Sequence, residues 1–194
     1  NRDNRCKSEV EKQQLFDFFK KIKGHSGMEQ NVYETGVTIG NGVTSIGEHA
    51  FYDCTSLTSV NITDIASWCN IEFGGSNANP LCNGAGLYLN GELVTELTIP
   101  ESVTTIDKMS FYYCESLESI NIPSAVKTIK ESAFNGCYAL ETVDMTEGVT
   151  TMGKYVFQDC TSLTEITLPK SLTSAGNFCF SRCDSLDIKV YEGS

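Results

Sequence analysis

The chain has 194 residues, 40% of them hydrophobic, with 25 acidic against 14 basic side chains and a formal charge of −11. That length and apolar content suffice for one domain or two small ones, while the acidic balance repels phosphate backbones and anionic headgroups, which argues against nucleic acid and membrane surfaces as partners. No apolar run approaches the roughly 18–20 residues that span a bilayer, and NRDNRCKSEV is polar rather than a signal-peptide core, so an export signal, if the protein is exported, has been removed from this sequence.

Residues 1–35 read as an N-terminal helical cap and linker. Ser8 with Glu11 matches a capping box, Leu15, Phe18, Phe19 and Ile22 form an i, i+3, i+4, i+7 stripe, and Gly24 suits a helix stop. A helix of this kind is expected to cover the first coil of a repeat stack, because the open ends of such stacks need covering. A partner-binding helix is the other reading.

Residues 36–194 carry one unit in tandem. In VTSIGEHAFYDCTSLTSVNI the apolar or small positions are Val43, Ile46, Ala50, Phe51, Cys54, Leu57, Val60 and Ile62. Steps of three and four up to Leu57 predict a helical or 3₁₀ turn, and the step of two from Val60 to Ile62 predicts a short strand. Phe111, Phe134, Phe157 and Phe180 lie 23 residues apart, as do Cys114, Cys137, Cys160 and Cys183, and Leu117, Leu140, Leu163 and Leu186. Phe51 precedes Phe111 by 60 residues, so the unit between them, residues 63–99, is enlarged. Its string LYLNGELV, with Asn90 and Gly91 suited to a type I′ turn, predicts a β-hairpin standing off the stack. Asp64 is placed to cap a short turn holding Trp68. Trp68 is expected to plug the hairpin's junction, since a lone Trp beside apolar residues is usually packed; a lateral recognition knob is the competing reading.

A unit of this length cannot close a core around itself, so its apolar side must rest on its neighbours. The prediction is a right-handed solenoid with a parallel sheet along one face and short turns on the other. Its strands are expected at 37–39, 60–62, 97–99, 120–122, 143–145, 166–168 and 188–190. The last comes one residue early, marking a deletion in the terminal copy. Pro100, Pro123 and Pro169 each follow a strand's final apolar residue, where a missing amide hydrogen matters least.

Nine cysteines are an odd count and do not pair completely within one chain. Cys54, Cys114, Cys137, Cys160 and Cys183 each fall three residues after a core Phe and three before a core Leu, which predicts a column of buried thiols with weak bonds to backbone groups of the neighbouring coil. Cys179 takes an interior Ala position. Cys6, Cys69 and Cys82 stand outside the column, and a Cys69–Cys82 link inside the enlarged unit is one arrangement the spacing allows. With only His25 and His49 as histidines, His49 expected to face solvent, and with neither a calcium-loop spacing nor a Gly-rich phosphate loop, no catalytic, metal or cofactor site is predicted.

The repeated string VxxIxxxAFxxCxxLxxVxIP, present in VTSIGEHAFYDCTSLTSVNI and VKTIKESAFNGCYALETVDM, resembles the BspA-like class of leucine-rich repeats over about residues 36–190. The enlarged unit, with SWCNI, NPL and LYLNGELVTELTIP, is similar to a variant repeat of that family. The resemblance implies a leucine-rich-repeat solenoid exported to the cell surface or secreted, of a type typically bacterial and in some members adhesive toward host extracellular-matrix proteins or other bacteria. It transfers no ligand and no binding residue, because the shared positions are core positions. Ser110 and Cys179 in place of Ala, and Ala175 in place of Ile, depart from the pattern.

Recognition is therefore expected on exposed positions. Residues alternating with the core on the strands form a polar, mildly acidic face that includes Glu96, Asp144 and Glu165. On the opposite ridge, Tyr52, Met109, Tyr112, Tyr113, Tyr138, Tyr155 and Phe178 flank the core Phe and Cys positions, and Tyr makes large contact area at little entropic cost. Tyr112, Tyr113 and Tyr155 are the candidate anchors; rings lying flat over neighbouring coils are the competing structural explanation. The reading is a non-enzymatic protein-interaction module with adhesion as its expected role and a protein ligand such as an extracellular-matrix or bacterial surface protein. A glycan-binding module, or a spacer with no ligand of its own, are the alternatives.

Overall fold

Each repeat lays down two strand segments in the computed structural model, which describes residues 36–190. The predicted helix at residues 8–23, Cys6 and His25 lie outside the described residues. The longer strands are β1 (Gly36–Thr38), β3 (Ser59–Ile62), β5 (Gly86–Leu89), β7 (Glu96–Thr98), β9 (Ser119–Ile122), β11 (Thr142–Met145), β13 (Glu165–Leu168) and β15 (Asp187–Val190). Period-two burial is clear in β11, where Val143 and Met145 point inward and Thr142 and Asp144 outward. Pairing is parallel and in repeat register: Ser119, Ile120, Asn121 and Ile122 face Thr142, Val143, Asp144 and Met145. Ile188 faces Ile166, which is the predicted one-residue deletion.

A second set of two-residue strands was not legible in the sequence steps. β8 (Thr105–Ile106), β10 (Thr128–Ile129), β12 (Thr151–Met152) and β14 (Ser174–Ala175) form their own parallel ladder, as do β2 (Ser45–Ile46) and β4 (Glu72–Phe73). Two residues are too few for an alternation to register as a strand pattern.

Between the two strand sets each coil closes by successive i→i+3 bonds, such as Tyr112 N–H to Met109 O (3.1 Å), Cys114 N–H to Phe111 O (3.1 Å) and Leu117 N–H to Cys114 O (3.2 Å). These turns put side-chain-bearing residues in the left-handed region: His49, Met109, Ser132, Tyr155 and Phe178 in one column, and Asp53, Tyr113, Asp159 and Arg182, with Gly136, in another. That conformation costs about 1–2 kcal/mol per residue. In return it aims backbone N–H groups along the stack, where Met109, Phe111 and Tyr113 donate to Glu131 O, Ala133 O and Asn135 O of the next coil at 3.1, 2.8 and 2.8 Å. The same triplet recurs from Ser132, Phe134 and Gly136 and from Tyr155, Phe157 and Asp159.

One continuous core results. The Phe rings stack face to face from coil to coil, with centroids 5.2 Å apart for Phe111–Phe134, 5.3 Å for Phe134–Phe157 and 5.8 Å for Phe157–Phe180. Beside them runs the cysteine column. Cys137, Cys160 and Cys183 donate their S–H to Phe111 O, Phe134 O and Phe157 O of the preceding coil at 3.2, 3.3 and 3.0 Å. Burial pushes the Cys114 thiol up to about 12 and the Cys137 and Cys160 thiols well above the ordinary range. Cys54 departs from the column by being only partly buried. Neutral-pH alkylation of the folded protein should therefore modify Cys54 and Cys82 ahead of Cys69, Cys114, Cys137 and Cys160, which react together on unfolding. Peptide mass spectrometry counts them, and rapid labelling of Cys137 or Cys160 in the native state would contradict this burial.

The enlarged unit corrects two expectations. Its hairpin does not stand off the solenoid: β5 is a full rung of the sheet, with Val60 opposite Leu87 and Ile62 opposite Leu89, and only β6 (Glu92–Leu93) folds back on it. Asn90 and Gly91 make the turn with φ of 52° and 90°. Consequently residues 97–99 do not pair with 60–62; β7 pairs with β9 instead, and the main sheet is split into a piece ending at β6 and a piece starting at β7. Helix α1 (Ile65–Cys69) bridges the break, capped by the Asp64 carboxylate, which accepts from the N–H groups of Ala66 (3.3 Å) and Ser67 (2.9 Å). The Ser67 hydroxyl, which donates to the same carboxylate at 2.6 Å, and then these N–H groups hold the Asp64 carboxyl below its ordinary range. Trp68 is buried, as the packed reading requires, and donates its indole N–H to Ser110 O at 2.8 Å. Asn79 donates to Met109 O at 2.6 Å, and the Ser110 hydroxyl reaches Asp107 O at 3.0 Å and Cys69 O at 3.4 Å. Ser110 thus replaces the repeat's Ala where a hydroxyl stitches the enlarged unit to the next coil. Cys69 and Cys82 are not joined; Cys69 is sealed inside α1, and Cys82 is only partly buried.

Candidate partner-binding surfaces

The turns that carry the left-handed residues also build the ridge. Because Tyr113 and Tyr155 occupy left-handed positions, at φ of 58° and 61°, their side chains leave the coil outward while the flanking Phe111 and Phe157 point in. The Tyr113 ring lies across the next coil, where a Cβ on Gly136 would meet it at 2.7 Å. Tyr112 packs against Tyr113 with centroids 4.7 Å apart, and Tyr138 meets Tyr113 edge-on at 5.6 Å. Two coils further on, Tyr155 stacks on Phe178 at 5.5 Å. Near the first described coil, His49 and Tyr52 make an edge contact at 5.8 Å.

These rings are neither all free nor all covered. Tyr112, Tyr113 and Tyr155 are partly buried, in keeping with rings lying over neighbouring coils, whereas Tyr52, Tyr138 and Phe178 are exposed. Burial, with Tyr113 alongside, pushes the Tyr112 phenol up to about 12, and the hydrogen bond with Tyr113 raises the Tyr138 phenol well above its ordinary range. The Tyr112 and Tyr138 hydroxyls are therefore neutral at physiological pH. Around it the ion pairs Lys108–Glu131 (3.5 Å), Lys130–Asp107 (2.8 Å) and Arg182–Asp159 (3.2 Å) join consecutive coils. Exposed pairs of this kind contribute about 0.2–1 kcal/mol each.

The sheet face is less uniform in charge than its composition implies. Glu96 and Asp144 are exposed, and Asn121 lies beside Asp144, its amide 3.5 Å from the carboxylate. Glu165 is exposed but ion-paired to Lys189 of the adjacent strand, which it raises above the ordinary lysine range. The ridge and the sheet face are separate surfaces built from different segments of the repeat, so the six candidate residues do not form one site. Sequence reasoning missed Tyr138 as the ring that joins the Tyr112–Tyr113 pair, although its place one residue after the column cysteine Cys137 marked it as exposed. Gly136 was missed as well; a glycine at a position otherwise held by Tyr113, Asp159 and Arg182 was the available signal. Among the described residues no group of three or more His, Cys, Asp or Glu side chains is arranged to hold a metal ion, and no helix is long and apolar enough to cross a membrane.

A family model described as the BspA type leucine-rich-repeat region matches residues 28–78 and 85–193 in 6 copies. A leucine-rich cell surface protein from Faecalibacterium prausnitzii is 33% identical, with a TM-score of 0.52 over 80% of this chain and 38% of its own. A leucine-rich-repeat protein from Bacteroides ovatus is 27% identical, with a TM-score of 0.51 over 88% of this chain and 40% of its own. The pneumococcal vaccine antigen PcpA, 14% identical with a TM-score of 0.56 over 80% of this chain and 50% of its own, shares the fold. The chain spans 38% and 40% of the length of the first two of these proteins. No curated protein matches it.

Proposed function

The chain belongs to the BspA-type leucine-rich-repeat family, a repeat scaffold, and from that premise we propose that it is a non-enzymatic protein-interaction module of a cell-surface or secreted protein that adheres to host or bacterial surface proteins. Membership of a repeat family whose units stack into an extended surface supports protein binding as the general activity. The cell-surface setting rests on the 33%-identical relative, described as a leucine-rich cell surface protein.

The observation that carries the choice of surface is the tyrosine cluster. Tyr113 is held by its left-handed backbone and by the close approach of Gly136, and Tyr112 and Tyr138 pack against its ring, so a partner meets rings whose rotamer freedom is already reduced. Preorganised aromatic anchors favour slow dissociation. On the sheet face the Glu165–Lys189 pair removes one of the three acidic charges from play, leaving Glu96 and Asp144 to steer a basic partner.

Surface plasmon resonance against a panel of immobilised extracellular-matrix and bacterial surface proteins tests this. Changing Tyr112, Tyr113 and Tyr155 together to Ala should speed dissociation by about tenfold or more with little salt dependence. Neutralising Glu96, Asp144 and Glu165 should mainly slow association and flatten its dependence on ionic strength. A partner whose affinity survives both triple substitutions, in variants shown to be folded, would refute both surfaces, and a panel with no binder would favour the spacer reading.

A further inference from the structure

Tyr138 sits on the ridge between two carboxylates supplied by different coils. Glu115, Tyr138 and Thr161 occupy one repeat position, 23 residues apart, and Tyr113, Gly136 and Asp159 occupy another. Inter-coil bonds keep the two columns in register: Tyr113 N–H to Asn135 O at 2.8 Å, Gly136 N–H to Gln158 O at 2.9 Å, and the Thr161 hydroxyl to Tyr138 O at 3.5 Å. Tyr138 is therefore bracketed along the stack by Glu115 of the preceding coil and Asp159 of the following one. The Tyr113 hydrogen bond and burial contribute most to raising the Tyr138 phenol, and the charges of Tyr113, Asp159 and Glu115 add to it.

The ring is 37% exposed and perpendicular to Tyr113, at 89°. Its hydroxyl is engaged with Tyr113, so what it offers a partner is the ring, whose face carries partial negative charge. Glu115 is exposed, and among the described residues no cation pairs with its carboxylate. On the other side of Tyr138, Asp159 is already met by the Arg182 guanidinium at 3.2 Å, so the chain itself seats one guanidinium beside this cluster.

A ring flanked by carboxylates attracts a cation. Guanidinium suits the place better than ammonium, because its plane stacks on a ring while its fork of N–H donors reaches a carboxylate. We propose that Tyr138 and Glu115 form an arginine-binding site, at which a protein partner lays one guanidinium against the ring and pairs it with the carboxylate. This rests on the tyrosine cluster being the partner-binding surface, and it assigns the chemistry of the side chain that the partner brings.

Nuclear magnetic resonance of the 194-residue chain, with its tyrosine rings labelled, tests the site without any protein partner. The probes are N-acetyl-arginine amide, its lysine counterpart and its neutral citrulline counterpart. Saturable shifts of the Tyr138 ring signals are expected with arginine, weaker ones with lysine and none with citrulline. Tyr138→Leu and Glu115→Gln should each weaken the arginine compound about fivefold or more, read from the Tyr113 ring, whereas Tyr138→Phe keeps the ring and should bind as the parent does. Both positions are exposed, and circular dichroism of each variant verifies the fold. Equal shifts from arginine and citrulline, lysine binding as tightly as arginine, or affinity unchanged by both Tyr138→Leu and Glu115→Gln would each overturn the site. Arginine binding at Tyr138 with no binder in the surface-protein panel would uphold the site and sink the adhesion reading. A panel protein held through Tyr112, Tyr113 and Tyr155, with Tyr138 unmoved by the arginine compound, would do the reverse.

Discussion

Phe134→Ala is expected to lower the unfolding free energy by about 3–5 kcal/mol. Its ring is fully buried and is sandwiched between Phe111 at 5.2 Å and Phe157 at 5.3 Å. Truncation removes the transfer free energy of the ring and leaves a cavity that the flanking coils cannot collapse to fill. Inter-coil bonds from Met109, Phe111 and Tyr113 on one side, and from Ser132, Phe134 and Gly136 on the other, hold the coil spacing. Tyr112→Ala, on the ridge, loses chiefly its tilted ring contact with Tyr113 and should cost about 1 kcal/mol. Urea denaturation of the two variants beside the parent chain checks the order, and a reversed ranking would mean that the repeat register is wrong.

Gly148→Ala is expected to destabilise the chain by about 3 kcal/mol, from left-handed backbone strain combined with overpacking. Gly148 has φ of 151°, and a Cβ there would lie 2.2 Å from Ser124 O and 2.8 Å from both Ser124 C and Cα. All three atoms are backbone of the preceding coil, so no side chain can swing aside. Its N–H is bound by the Ser171 hydroxyl at 2.9 Å, and the neighbouring Glu147 carboxylate accepts from Lys170 and Ser171 N–H at 2.9 and 3.0 Å, so the segment is pinned from the following coil too. Gly91→Ala is the control, since Gly91 also has positive φ but nothing lies within 4 Å of its Cβ position. Thermal unfolding of the pair separates conformational strain from collision. Equal losses would show that the close approach to Ser124 does not constrain the coil.

The repeat made most of the fold legible without coordinates. A 23-residue recurrence of Phe, Cys and Leu fixes which side chains point inward, because identical units can bury an apolar face only against one another. The seven strand segments read from the repeat, the terminal deletion, the Asp64 cap, the Asn90–Gly91 turn and the burial of Trp68 all follow from local chemistry of that kind, whereas the two-residue strands of the second ladder do not. The tertiary structure alone decided how the enlarged unit joins the stack. Whether LYLNGELV stands off or supplies a rung depends on pairing between β3 and β5, a long-range choice to which both arms of a hairpin are equally suited locally. In the sequence Ser110 is only a departure from the repeat's Ala, and its role emerges once Trp68, Asn79 and Asp107 are brought around it. The ridge was legible as a list of aromatic residues, but which rings meet, and that Gly136 makes room for Tyr113, depends on left-handed turns sustained by hydrogen bonds from the next coil. Composition places a side chain inside or outside; contact between neighbours within a repeat stack is set by the backbone of a different copy.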